Sequence, residues 1–287
     1  MKKLLCILLA AGIVAMPITA MADLAEGDMI VTLGENLSEG QKEALLKEMD
    51  APPDVQVITV SNEEEHQYLG KYVSRALIGT RAISSSAITM NKKDTGLTVK
   101  TKNITWVTDE MYLNALMTAG VKDASIYITA PVSVSGTAAL TGIIKAYEIS
   151  ADKTIPEDIK QAANHEMVET AKLGDSIGKE NAAALIAKVK EEIAKGKPKD
   201  EAELKSLIQQ QANELKVELS NEELQALTSL FKKLQDLDIN WNQVGDQLEK
   251  AKDQFSKFLD SDEGKGILAS LKKFFASIAE AIRSFFN

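Results

Sequence analysis

Apolar and polar positions alternate along the chain with two different periods, and the change from one to the other falls near residue 150. Met29–Leu33 is a short apolar run that predicts a strand. Ser38 with Gln41 forms a capping box, and the helix behind it places Ala44, Leu45 and Met49 on one face until Pro52-Pro53 stops it. Val55–Val60 is continuous, apolar and β-branched, the pattern of a buried strand. Asn62 followed by three glutamates predicts a helix start, because acids are favoured at the positive end of the helix dipole. Residues 82–90 and 97–107 are rich in Thr, Val and Ile and are joined by turn formers from Asn91 to Gly96. Thr98, Lys100 and Lys102 give the second of them one wet face. A helix from Asp109 to Gly120, a strand over Ala124–Ala130 and a helix over Gly136–Tyr147 complete the order β-α-β-α-β-β-α-β-α. That order predicts a mixed sheet with one antiparallel hairpin and covering helices.

Beyond residue 150 the period is helical throughout, with helices expected at about 156–173, 180–195, 201–218, 221–236, 241–259 and 265–286. Ser220 with Glu223 is a second capping box. The apolar stripes Leu224, Leu227, Leu230, Phe231, Leu234 and Val244, Leu248, Phe255, Phe258, Leu259 suit bundle packing. Aromatic residues divide at the same place: all five tyrosines precede residue 150 and all seven phenylalanines follow residue 230. The expected fold class is therefore a mixed α/β (α+β) domain over residues 23–150, followed by an all-α helical domain over residues 151–287, with the boundary near Ala151–Pro156.

The first 22 residues fit neither part. Lys2 and Lys3 precede an apolar run from Leu4 to Ile18, and Ala20-Met21-Ala22 gives a small-x-small cleavage pattern before Asp23. This is the build of a secretory leader, and its apolar run is shorter than the roughly 20 residues that span a bilayer. The single cysteine, Cys6, lies inside the leader, so the mature chain has no thiol and no disulfide. The net charge of −9 moves to −11 once the two leader lysines are removed. Such an acidic chain disfavours phosphate backbones, so nucleic acid is not an expected partner.

Each motif that could carry chemistry is incomplete. His165-Glu166-x-x-Glu169 has Glu169 where a zinc-protease helix needs its second histidine, and the chain has one other histidine, His66. Asp236-x-Asp238-x-Asn240 opens like a calcium loop but has Trp241 and Gln247 where glycine and a bidentate glutamate are required. No metal or other cofactor is implied. Two serine segments remain as a possible anion or ligand site. Ser133, Ser135, Gly136 and Thr137 lie between a strand and a helix, where bare N–H groups attract anions. Ser84, Ser85 and Ser86 open another strand. The bland reading, a Ser or Thr cap for the first segment and a polar strand start for the second, is the stronger one.

The C-terminal stretch 265–286 is amphipathic. Ile267, Leu271, Phe274, Phe275, Ile278, Ile282, Phe285 and Phe286 recur at helical intervals, opposite Lys272, Lys273 and Arg283. A basic helix of this kind can close a bundle, lie on a membrane surface or dock a partner protein.

Ile128-Thr129-Ala130-Pro131-Val132-Ser133-Val134-Ser135-Gly136-Thr137-Ala138-Ala139-Leu140-Thr141-Gly142-Ile143-Ile144-Lys145-Ala146-Tyr147-Glu148 resembles the hallmark run of the YpuA-like secreted proteins of Gram-positive bacteria, a family of unknown function. Arg75-Ala76-Leu77-Ile78-Gly79-Thr80-Arg81-Ala82-Ile83-Ser84-Ser85-Ser86 is similar to its other marked segment, and Leu230–Asn240 more loosely so. The resemblance implies export and carries no activity.

The expectation is an exported, non-enzymatic envelope or extracellular protein with a binding role. The alternatives are a hydrolase or other enzyme acting on an envelope component, and a chaperone-like or structural factor. The leader makes one direct prediction: protein recovered from the medium of expressing cells begins at Asp23 on N-terminal sequencing. An N-terminus at Met1 would refute the cleavage site.

Overall fold

The structure, a computed structural model, describes residues 26–196, 198–251 and 254–255. The leader 1–22 and the amphipathic stretch 265–286, with Ile267 to Phe286, lie outside the described residues. Five strands form one sheet: β1 (Met29–Gly34), β2 (Gln56–Val60), β3 (Ser85–Met90), β4 (Leu97–Ile104) and β5 (Ala124–Val134), in the order β2-β1-β3-β5-β4. β1 pairs parallel with β2, and β4 with β5, while β3 runs antiparallel to both β1 and β5. The fold is mixed α/β, and the expected element order is observed with one short helix added.

Two expectations about the sheet need correction. β3 and β4 do not form a hairpin, because β5 lies between them. Their six-residue connection arches over the start of β5, where Asn91 N donates to Asp123 O at 2.8 Å and Gly96 N to Asp123 Oδ1 at 2.9 Å. The reason is burial. β5 carries Ile126, Ile128 and Ala130 and can sit inside, whereas β4 exposes Thr98, Lys100 and Lys102 and suits an edge. Likewise β2 is an edge strand, with Val57 43% exposed, although its apolar run reads as buried.

The helices of the sheet half are α1 (Glu39–Glu48), α2 (Asn62–Leu69), α3 (Arg75–Ile78), α4 (Asp109–Thr118) and α5 (Ala139–Ser150). Capping boxes form at Ser38/Gln41 and at Ser61/Glu64, so Ser61 rather than Asn62 caps α2. α1 covers one sheet face through Leu45 and Met49 against Val31, Leu33 and Ala87. α4 and α5 cover the other. Every residue of α4 from Met111 to Thr118 is buried. A helix buried around its whole circumference needs neighbours on all sides.

Those neighbours are α6 (Glu157–Ile177) and α7 (Lys179–Lys195), which pack against the side of α4 away from the sheet. α8 (Glu201–Glu214), α9 (Asn221–Asp236) and α10 (Trp241–Lys250) extend the helical layer. One hydrophobic cluster runs from Ile88 and Ile126 on the sheet through Leu113, Leu116, Leu140 and Ile143 to Met167, Leu185, Phe231 and Val244. Each fully buried side chain of this kind stabilises by about 1.5–3 kcal/mol. The turn at 151–156 between α5 and α6 exposes Asp152, Lys153 and Thr154 but buries Ile155.

The seam also holds an ion pair. Glu166 of α6 and Lys190 of α7 are fully buried, with Nζ 2.6 Å from Oε1. Thr118 Oγ1 donates to the other carboxylate oxygen at 2.5 Å, and Lys190 Nζ donates to Asn114 O at 2.6 Å. Burial pushes the Glu166 carboxyl up and the Lys190 ammonium down, while their contact pulls each back. Removing one partner from such a pair costs about 3–5 kcal/mol, because the other is left uncompensated. Glu166 of the His165-Glu166-x-x-Glu169 motif is therefore committed to the seam. His165 stacks on Tyr72 with ring centroids 4.2 Å apart.

Candidate functional site

The serine segments are placed apart. Ser86 Oγ shares a hydrogen bond with Thr32 Oγ1 at 2.6 Å, under α5. Ser85 is also buried but points to the opposite sheet face, as alternation requires. Ser85 lies opposite Thr129, so Ser133 sits four strand positions further on, about 13 Å away. Ser84 is half-buried and Ser133 exposed. The 135–137 loop is held by the fold: Ser135 O accepts from Trp106 N and Val107 N, and Gly136 O accepts from the Tyr112 hydroxyl. Gly136 has φ +92°, and a Cβ there would lie 2.4 Å from Ile104 Cγ2. Thr137 is buried, with its hydroxyl 3.4 Å from Ser135 Oγ.

A different set of polar residues converges on a cleft of about 180 Å³ between α2, α5 and α6, lined by Glu64, Tyr68, Thr141, Ile144, Lys145, Glu148, Lys160 and Asn164. Each helix contributes residues one turn apart: Glu64 and Tyr68 from α2, Thr141, Lys145 and Glu148 from α5, Lys160 and Asn164 from α6. α5 is otherwise apolar and can lie close to the sheet because of Gly142, where a Cβ would be 2.8 Å from Thr32 Oγ1.

Two ion pairs cross the cleft. Lys145 Nζ lies 2.6 Å from Glu64 Oε1 and also donates to Thr59 O at 3.2 Å. Lys160 Nζ lies 2.9 Å from Glu148 Oε1, which also accepts from Ile155 N at 2.7 Å. The first pair is a third or more exposed and the second less than a fifth, which makes Glu64–Lys145 the outer rim. Tyr68 OH donates to Glu157 at 3.2 Å. Burial and the nearby Glu157 charge push the Tyr68 hydroxyl up to about 12, so it stays protonated.

Two oxygens on the cleft wall lack a hydrogen-bond partner among the described residues: Thr141 Oγ1 and Asn164 Oδ1. Both residues are more than nine-tenths buried. The orientation of the Asn164 amide is fixed, because its Nδ2 donates to Lys160 O at 2.9 Å. Its Oδ1 is therefore a buried acceptor without a donor among the described residues. Both belong to side chains that line the same cleft, where hydrogen bonding is incomplete. Glu48, beside a hollow of about 460 Å³ under α1, accepts from Lys102 at 2.7 Å, Tyr127 at 3.0 Å and Thr129 at 2.8 Å.

Residues 33–251 match the family described as "Protein of unknown function (DUF1002)". The chain belongs to this family. It is 56% identical over the whole of both chains to "Uncharacterized protein YpuA" of Bacillus subtilis (strain 168), so the resemblance to the YpuA-like proteins holds. No solved structure matches the chain. The family's 33–251 span contains every residue of the cleft.

Sequence reasoning passed over the cleft because each contribution looks like an ordinary polar helix position. The one available signal is the stripe Thr141, Lys145, Glu148 on a helix whose other faces are apolar.

Beside the cleft, neighbouring glutamates on α2 titrate in opposite directions. Burial raises the Glu64 carboxyl, but the hydrogen bonds from Lys145 and from Ser61 N–H outweigh it and hold it below the usual range. Glu65 is 2% exposed and has Asn62 as its partner at 2.8 Å. Burial pushes it up to about 7. A carboxyl raised from 4.5 in this way contributes stability that is complete below about pH 4.5 and lost as the pH rises through 7. The loss is of order 3 kcal/mol. Glu65→Gln is therefore expected to melt with the wild type at pH 4 and several degrees above it at pH 8. A variant that melts lower at pH 8 would show that the carboxylate is ionised and paired.

Proposed function

We propose that the protein is exported and acts by binding, taking a small polar molecule of zero net charge into the cleft between α2, α5 and α6. The observation that carries this reading is the pair of buried, unpartnered oxygens, Thr141 Oγ1 and Asn164 Oδ1, on a wall that also holds two carboxylates and two ammonium groups. Two positive and two negative groups balance, so a guest without net charge leaves both pairs intact. The leader pattern of residues 1–22 supports export to the envelope or the medium. In the same reading the helical half supports the cleft through α6, and the amphipathic stretch 265–286 brings the protein to a membrane surface or a protein partner.

Catalysis draws less support. A serine hydrolase needs a nucleophile beside a base, and Ser85 and Ser86 point to opposite sheet faces while His66 is bonded to Gly79 O at 3.0 Å. The acidic mature chain argues against nucleic acid.

Nuclear magnetic resonance with the ¹⁵N-labelled mature chain tests the reading. Titration with a mixed set of small polar fragments is expected to shift the amides of Tyr68, Thr141, Lys145 and Asn164, and Thr141→Val is expected to abolish those shifts. Shifts confined to other surfaces, or unchanged in the variant, would overturn it.

A further inference from the structure

The chemistry of the cleft wall restricts its guest further, an inference that rests on the binding role proposed above. We propose that the ligand is a neutral polyhydroxylated molecule no larger than a monosaccharide. Size comes first. At about 180 Å³ the cleft is smaller than the roughly 300–1,000 Å³ of sites that take drug-sized molecules, so a single sugar ring or less fits.

Charge comes second. Lys145 and Lys160 already hold Glu64 and Glu148 at 2.6 and 2.9 Å. A ligand carboxylate would have to displace one of those glutamates and leave it partly buried without its cation, which is unfavourable. A ligand ammonium would do the same to a lysine. Hydroxyl groups displace nothing. Glu64 Oε1 and Glu148 Oε2 each accept from one lysine and keep a lone pair, and an ammonium has three donors, so both pairs can take further hydrogen bonds while staying paired.

Hydrogen-bond polarity comes third. Asn164 Oδ1 can only accept, and Thr141 Oγ1 can donate or accept. A vicinal diol satisfies both, giving one proton to the amide oxygen and exchanging a second bond with the threonine. Ile144 and the Tyr68 side chain supply the apolar part of the wall, which suits the C–H positions of the same molecule.

Isothermal titration of the mature chain with glucose, N-acetylglucosamine, myo-inositol, glycine, alanine and sodium phosphate decides the matter. At least one of the three polyols is expected to bind, with glycine, alanine and phosphate at least ten-fold weaker. Thr141→Val is expected to weaken the polyol at least ten-fold, as is Lys145→Met at the outer rim. Thr141→Val is nearly isosteric and removes no hydrogen bond present in the fold, so a shared melting temperature with the wild type shows that lost binding is not lost folding. Binding of glycine or alanine that Thr141→Val abolishes would overturn the polyol class and leave the cleft reading standing. Polyol binding insensitive to both substitutions would overturn the site. No binding of any probe at 50-fold the protein concentration and at millimolar levels, with Thr141→Val as stable as the wild type, would mean that the cleft holds water only and would overturn both.

Discussion

A helix that is buried on every side cannot be finished by a sheet alone, and α4 is such a helix. Met111, Leu113, Leu116 and Met117 cannot all face one neighbour, so the sheet takes one side of α4 and α6 with α7 takes the other. The placement of α6 and α7 follows from satisfying that circumference. Asn114 and Thr118 put polar atoms into the seam, and Lys190 and Glu166 meet them there. A slip of any of the three helices would leave a buried charge without its partner.

The cleft is a by-product of the same arrangement. α6 must run alongside α4, and it starts immediately after a short turn from α5, so the first turns of α6 lie against the polar stripe of α5. α2 closes the third side. Charged residues at the rim of such a junction need partners from other helices, and Glu64–Lys145 and Glu148–Lys160 provide them across chain separations that no local rule links. The inner wall is less well served: Thr141 Oγ1 and Asn164 Oδ1 have no hydrogen-bond partner among the described residues. Folds usually leave a polar group incompletely satisfied where something else is meant to complete it.

What could be read from the sequence was local. The capping boxes at Ser38/Gln41 and Ser220/Glu223 appear as expected because both partners sit within four residues. Element order was legible for the same reason. The pairing of β3 was not, because inserting β5 beside it is decided by the relative burial of β4 and β5 rather than by the turn between β3 and β4. Lys190, within Lys188-Val189-Lys190-Glu191-Glu192, has the charged neighbours of a surface position, and only the meeting of α4, α6 and α7 buries it. The serine segments attracted attention because they flank strands, yet the fold uses Ser86 and the 135–137 loop for its own hydrogen bonds. The cleft residues come from three helices and have meaning only once those helices are assembled.

If α4 joins sheet and helices into one cooperative unit, the two halves unfold together. Pulsed hydrogen exchange with mass spectrometry along a urea gradient tests it most directly on the unmodified mature chain. Peptides from β3, β5 and α4 and peptides from α7 and α9 are expected to lose protection at one common urea midpoint. If the peptides from α7 and α9 open at a clearly lower midpoint while β3 and β5 stay protected, the helical half is a separate unit and the account is wrong.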